Sequence, residues 1–168
     1  KLIDLELKTF TEQNAVDYCR LNNINPDSII KLDFQFNKLI DISGVKLFKN
    51  IKYLNLYNNK ITDINISAVK NLNKLKVLEL GNNELTDISV IQYLKNLEIL
   101  WLFNNKIKDI SVIKYLKKLK ILDINNLELE SDQIQYIKNL KNLEKLYYYK
   151  GFKDISVLKQ LNKNIKLL

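Results

Sequence analysis

Two apolar rhythms alternate along this chain. "LNLYNN" from Leu54, "LELGNN" from Leu78 and "LWLFNN" from Leu100 place leucine at every second position, the period of a half-buried strand. After a polar turn comes a segment such as "SVIQYLKNL" or "SVIKYLKKL", whose apolar positions suit a short helix or 3₁₀ piece returning along the other side. The pattern predicts Leu54 with Leu56, and Leu100 with Leu102, pointing inward, with Ile61 and Ile64 continuing the core around the turn. The residues between and beside the leucines must then point the other way.

The unit repeats. "LDFQFNKLIDIS" starts at Leu32, "LNLYNNKITDIN" at Leu54, "LELGNNELTDIS" at Leu78 and "LWLFNNKIKDIS" at Leu100, at spacings of 54−32 = 22, 78−54 = 24 and 100−78 = 22. "LDINNLELES" at Leu122 and "LYYYKGFKDIS" at Leu146 are looser copies, and "NIKLL" opens a seventh that is cut short. One unit cannot bury its apolar face alone, whereas stacked units can, each strand pairing in parallel with the next at about 4.8 Å. Asn37, Asn59, Asn83 and Asn105 end the strands, where an amide offers both a donor and an acceptor to the turning backbone. Asp41, Asp63, Asp87, Asp109 and Asp154 are placed to accept from turn N–H groups, and the Ser after Asp-Ile is expected to cap the segment that follows. One turn-bonded carboxylate per repeat accounts for the aspartate column without a metal. Tyr93 and Tyr115, also 22 residues apart, read as amphipathic packing on the returning side. Leu127 and Gly151 replace the asparagine of the fifth and sixth units, and Tyr148 takes a leucine's place. We read these as the degeneracy of terminal repeats, with a deliberate bend as the alternative.

With its preceding apolar residue each unit reads L-x-x-L-x-L-x-x-N-x-L/I-x-D-I, and in this the chain resembles the leucine-rich repeat family. The period near 22 and the recurring Asp-Ile-Ser are most similar to the branch holding bacterial internalins and the eukaryotic phosphatase-regulator proteins. The resemblance implies an α/β solenoid over residues 29–168: a curved parallel β-sheet on the concave face, short helices or 3₁₀ segments on the convex face. Residues 1–28 lack the motif and are expected to cap the first repeat's core. Within them "TEQNAVDYCRLNN" reads as a helix with Thr11 as N-cap and Ala15, Val16, Cys19 and Leu21 as apolar positions, and Pro26 then turns the chain.

Composition narrows the chemistry. The chain holds no histidine, one cysteine (Cys19) and three glycines, so the usual general base, thiolate metal sites and phosphate-cradling loops are missing. No enzyme activity and no cofactor are expected, and Cys19 reads as a small buried hydrophobe. No apolar run approaches the roughly 18 to 20 residues that insert into a membrane. The net charge of +8 invites an anionic partner, yet Arg20 is the only arginine, and arginine is the residue best shaped for phosphates and guanine edges. No nucleic-acid partner is expected, and the lysines read first as a solvated surface. Lys1 is not an initiating methionine, so a leader could have preceded it and the compartment stays open.

The outward strand positions hold the candidate site. Residue by residue they read Lys31, Asp33, Gln35; Tyr53, Asn55, Tyr57; Val77, Glu79, Gly81; Ile99, Trp101, Phe103; Ile121, Asp123, Asn125; Lys145, Tyr147, Tyr149. Six of these 18 are aromatic where the chain's 10% would supply about two. Strand propensity explains Val77, Ile99 and Ile121 better than it explains Trp101. Their formal sum is 2 − 3 = −1, against +8 for the whole chain, so the basic residues lie on the flanks and convex side. We therefore expect Tyr53, Tyr57, Glu79, Trp101, Phe103, Asp123, Tyr147 and Tyr149 to contact another protein that offers apolar groups and a Lys or Arg. The internalin resemblance implies a bacterial surface or secreted adhesion role. The regulator resemblance implies an intracellular scaffold, and an anion binder using the convex lysines is the competing class. A monomer is expected, with end-to-end association where the last repeat's apolar edge lacks a polar closing segment.

Overall fold

The strand rhythm resolves into β1 (Lys31–Asp33), β2 (Tyr53–Asn55), β3 (Val77–Glu79), β4 (Ile99–Trp101), β5 (Ile121–Asp123), β6 (Lys145–Tyr147) and β7 (Lys166–Leu167). They lie in chain order in one parallel sheet. This is seen in a computed structural model that describes residues 8–168, of Ile64 only the backbone. The expected core role of the Ile64 side chain, and the first seven residues of the expected cap, lie outside the described residues. The register sets Leu32, Leu54, Leu78, Leu100, Leu122 and Leu146 side by side. Leu167 pairs with Leu146, so "NIKLL" adds a strand rather than a frayed end.

Each leucine of that line is fully buried, as are Leu56, Leu80 and Leu102 one step further on. Burying each contributes about 1.5 to 3 kcal/mol, but only because the neighbouring repeat covers it. The convex wall is built from 3₁₀ turns such as Ser43–Leu47, Ser89–Tyr93 and Ser111–Tyr115. Two short α-helices, α2 (Asp63–Ile66) and α3 (Ile134–Lys138), stand in the same wall. A turn of i→i+3 bonds is what so few residues can close. Each convex passage ends on an apolar anchor packed on the core: Phe48, Leu72, Leu94, Leu116, Leu140 and the partly buried Leu161.

The asparagine column ties repeats together more thoroughly than a simple turn bond. Asn83 donates Nδ2 to Leu56 O at 2.9 Å and Leu80 O at 3.0 Å, and accepts from Ile61 N at 2.9 Å. Asn59 and Asn105 repeat the pattern against their own preceding repeats. Asn37 differs, being part-exposed and bonded to Gln35 O. The aspartates accept as expected: Ser43 N to Asp41, Ser89 N to Asp87, Ser111 N to Asp109 and Ser156 N to Asp154, all within 2.8 Å. The aspartate, not the serine, is thus the capping group, because its carboxylate reaches the first free N–H of the turn two residues on. Asp63 instead reaches the next repeat, taking Thr86 N and Asp87 N.

At the N-terminal end, α1 (Glu12–Leu21) starts from a capping box in which Thr11 and Asn14 satisfy each other's backbone. Phe10, fully buried, lies 4.8 Å from the Phe34 ring and 6.1 Å from that of Phe48, closing the first repeat's core. Gly44 permits this approach: a Cβ there would stand 2.5 Å from Thr11 O. Ala15 and Cys19 are buried, but Val16 and Leu21 are 43% and 78% exposed. The helix presents a narrower apolar stripe to the repeats than its composition promised, since only one face meets the Ser43–Leu47 turn.

Candidate functional site

Residues that alternate away from the leucines form the concave face. Their columns follow the sheet register: Tyr53 beside Val77, Glu79 beside Trp101, Trp101 beside Asp123, Asp123 beside Tyr147. Four rings from three repeats meet there. Tyr57 and Phe103 have centroids 5.6 Å apart, and Phe103 and Trp101 6.5 Å. Between them lies the third repeat, whose residue in that column is Gly81. A Cβ on Gly81 would stand 2.3 Å from the Phe103 ring, so the missing side chain is what lets Phe103 lie across the sheet toward Tyr57.

The fourth ring was not among the sequence-expected residues. Phe36 stands edge-on to Tyr57, centroids 5.0 Å apart at 83°, and is 61% exposed. Its φ is 60°, in a column where the next repeats place Asn58, Asn82, Asn104 and Asn126 at 53° to 59°. Asparagine tolerates that left-handed backbone; a bulky aromatic rarely adopts it. The replacement of asparagine by phenylalanine in an otherwise regular column was the available signal. The asparagines chain outward from Tyr57: Asn82 Nδ2 donates to the Tyr57 hydroxyl at 3.2 Å, Asn104 to Asn82, and Asn126 to Asn104.

Electrostatics separates the acidic residues. The Tyr53 hydroxyl donates to Glu79 Oε1 at 2.7 Å, and Lys31 Nζ lies 4.4 Å over the Tyr53 ring. Burial first, then the Glu79 hydrogen bond, push the Tyr53 phenol far above its ordinary range, so it remains a donor. Glu79 is half-buried, with its second oxygen unbonded among the described residues. Asp123 is 9% exposed and its Oδ1 accepts from Asn125 N at 2.9 Å. Burial raises its pKa, and that backbone bond holds it back in part. Asn55 does the same turn duty in β2, accepting from Tyr57 N at 2.9 Å. Trp101 is half-buried rather than fully turned to solvent, and its indole N–H is enclosed without an acceptor among the described residues.

The structure thus gathers Tyr57, Trp101 and Phe103 with Phe36, and links Tyr53 to Glu79. Tyr147 and Tyr149 stand apart, beyond Asp123 and Asn125. Among the described residues no ring contact joins them to the strip, and Tyr149 is 65% exposed with Lys150 5.6 Å from its ring. On the convex side Tyr93 and Tyr115 are exposed rather than packed inward. Lys70 and Lys95 cover them at 4.7 and 4.6 Å.

The model of the family described as "Leucine Rich repeats (2 copies)" matches residues 49–93, 73–115 and 95–134. Among solved structures, an internalin (inlF) of Listeria monocytogenes is 31% identical with a TM-score of 0.65, over 94% of this chain and 49% of that one. Internalin C2 of the same organism is 31% identical with a TM-score of 0.68, over 83% and 62%. A leucine-rich repeat protein of Leptospira interrogans is 31% identical with a TM-score of 0.72, over 84% and 37%. This chain therefore spans about half, or somewhat more or less, of the length of these neighbours. No curated protein matches it significantly.

Proposed function

The chain belongs to the leucine-rich repeat family, whose domains are generally protein-binding modules, and from that premise we propose that it recognises another protein through its concave aromatic strip. One observation carries the reading. Phe36, Tyr57, Phe103 and Trp101 make an unbroken series of ring contacts across the first four repeats, on the face the leucines leave outward. Rings of this kind are the anchors of protein interfaces, because they bring large area at little entropic cost. Glu79 supplies a half-buried carboxylate beside Trp101 in the register. The matching partner is a segment with an apolar or aromatic side chain next to a lysine or arginine, the cation meeting both ring face and carboxylate. The internalin neighbours support a recognition role at a bacterial surface or in secretion over the intracellular scaffold.

Panning a displayed random-peptide library on the wild-type domain tests this. Selected peptides are expected to pair an aromatic or aliphatic residue with Lys or Arg. They should lose most affinity for Trp101→Ala/Phe103→Ala, since hot-spot rings cost about 2 kcal/mol or more each when truncated. Glu79→Lys should weaken the same peptides. Peptides that bind the aromatic double variant as tightly as wild type would refute the concave-face reading.

A further inference from the structure

The convex side carries a different and independent surface. Two residues before each convex anchor the chain reads Lys46, Lys70, Gln92, Lys114, Lys138 and Lys159. One and two residues after each anchor, every position is lysine or asparagine. These three columns hold no carboxylate in any repeat. Stacking the repeats therefore superimposes ammonium groups into a band along the convex wall.

How those ammoniums are held matters more than their number. Lys70 lies over the Tyr93 ring, and Lys95 and Lys114 share the Tyr115 ring at 4.6 and 5.1 Å. Lys74 Nζ donates to Asn50 Oδ1 and Lys118 Nζ to Asn96 Oδ1, each at 2.7 Å. Rings and amide oxygens position a cation without cancelling its charge. In the band, the one direct ion pair among the described residues is Lys46 with Glu12, 3.4 Å apart at the N-terminal end, and at the other end Lys159 acts on Asp154 through charge alone. Outside it Lys76 and Lys120 are neutralised by Glu98 at 2.9 Å each, and Lys153 pairs with Glu130. At the N-terminal end of the band, Lys49, Asn50, Asn73 and Lys74 help line a groove of about 420 Å³. The field of the band is thus preserved while the side chains of Lys70, Lys74, Lys95, Lys114 and Lys118 are ordered in advance, which lowers the entropic cost of binding.

We infer that this convex band binds an extended polyanion, a linear polymer bearing sulfate or phosphate groups and no bases. Single-stranded nucleic acid would need free aromatic faces on which to stack, and lysines occupy those of Tyr93 and Tyr115. Arg20, the one arginine, sits in α1, outside the three columns. A flat bilayer meets a convex wall over few repeats, whereas a flexible chain follows all of them.

The test is calorimetry at several salt concentrations with a heparin-derived sulfated oligosaccharide and with inorganic polyphosphate. These two arms tell sulfate from phosphate. An oligothymidine of matched charge and vesicles containing phosphatidylserine serve as competitors of other classes. The Lys70→Gln/Lys95→Gln/Lys114→Gln variant should bind at least one polymer more weakly and lose about 1 from the salt slope per lysine, about 3 together. Lys60→Gln/Lys106→Gln/Lys166→Gln, with the same change in charge on exposed positions elsewhere, should leave affinity within about twofold. Equal losses in the two variants would reduce the effect to net charge and overturn the site. So would absence of binding to both polymers, tighter binding of the oligothymidine, or binding to the vesicles alone.

Discussion

Replacing Asn83 with leucine tests whether side-chain amides, rather than leucine packing alone, couple one repeat to the next. Leucine has nearly the branched shape of asparagine, so little cavity is opened and the change isolates hydrogen bonding. Ile61 N in the preceding repeat loses its partner, while Leu56 O and Leu80 O each lose one of two amide donors and keep Asn59 Nδ2 and Asn105 Nδ2. Asn83 is 7% exposed, so water cannot replace the amide without opening the turn. A buried polar group left unpaired costs about 1 to 3 kcal/mol. The two carbonyls stay bonded, so each loses only one net hydrogen bond at the low end of about 0.5 to 1.5 kcal/mol, and the expected loss is about 2 to 4 kcal/mol. That is a large part of a domain's usual stability of about 5 to 15 kcal/mol. Urea unfolding followed by circular dichroism measures it, and hydrogen exchange at the Ile61 amide localises it. A loss below about 1 kcal/mol, with Ile61 still protected, would show that the column is dispensable and that leucine packing alone couples the repeats.

Gly81→Ala leaves backbone conformation unstrained but removes the space beneath Phe103; Trp101 fluorescence should shift with stability changed by less than about 1 kcal/mol, and an unchanged spectrum would refute the contact. Lys76 and Lys120 hold Glu98 at about 2, below its ordinary 4.5, so the stability it contributes is full above 4.5 and lost as pH falls from there through about 2. Glu98→Gln should flatten acid unfolding in that window, and an unaltered acid limb would contradict the pairing. Burial raises the Asp123 carboxyl, so the native state holds that proton more tightly and the ionised form destabilises the fold at neutral pH. Asp123→Asn keeps the turn bond, as Asn55 does, and should raise the urea midpoint at pH 7 with no gain at pH values below the ordinary carboxylate range; a lower midpoint at pH 7 would show the charge to be stabilising.

The repeat frame was legible because strand period, turn asparagine and capping aspartate all recur at one spacing, so every copy corroborates the others. Leu127, at an asparagine position, is buried in the core rather than ending a strand. What the columns could not reveal was distance along the third dimension. Whether Phe103 reaches Tyr57 depends on Gly81 between them, and that is visible only once the rings have rotamers. Phe36 escaped notice because it sits one residue past the outward columns, where the left-handed backbone swings its ring back onto the concave side. Val16 and Leu21 misled because helical periodicity marks a stripe but not how much of it a neighbour covers.

Four departures from the least costly arrangement fall close together. Phe36 takes a backbone conformation that the following four repeats assign to asparagine, at a cost on the order of 1 kcal/mol. Asp123 keeps a buried charge at a position where Asn55 meets the same hydrogen bond without one. Trp101 Nε1 and Asn125 Oδ1 are the buried side-chain polar atoms left unpaired among the described residues. All four lie on or beside the concave face, and for two of them the less costly solution is present elsewhere in the same sheet. Selection for stability alone would have spread those solutions through every repeat, since each is a single substitution in side-chain type. Their absence at these two positions is what a surface retained for recognition would look like. The convex band breaks no such rule, because its lysines lie at the surface, several of them against rings and amides. A site of that kind adds little to the cost of the fold, and so only its uniform charge reveals it.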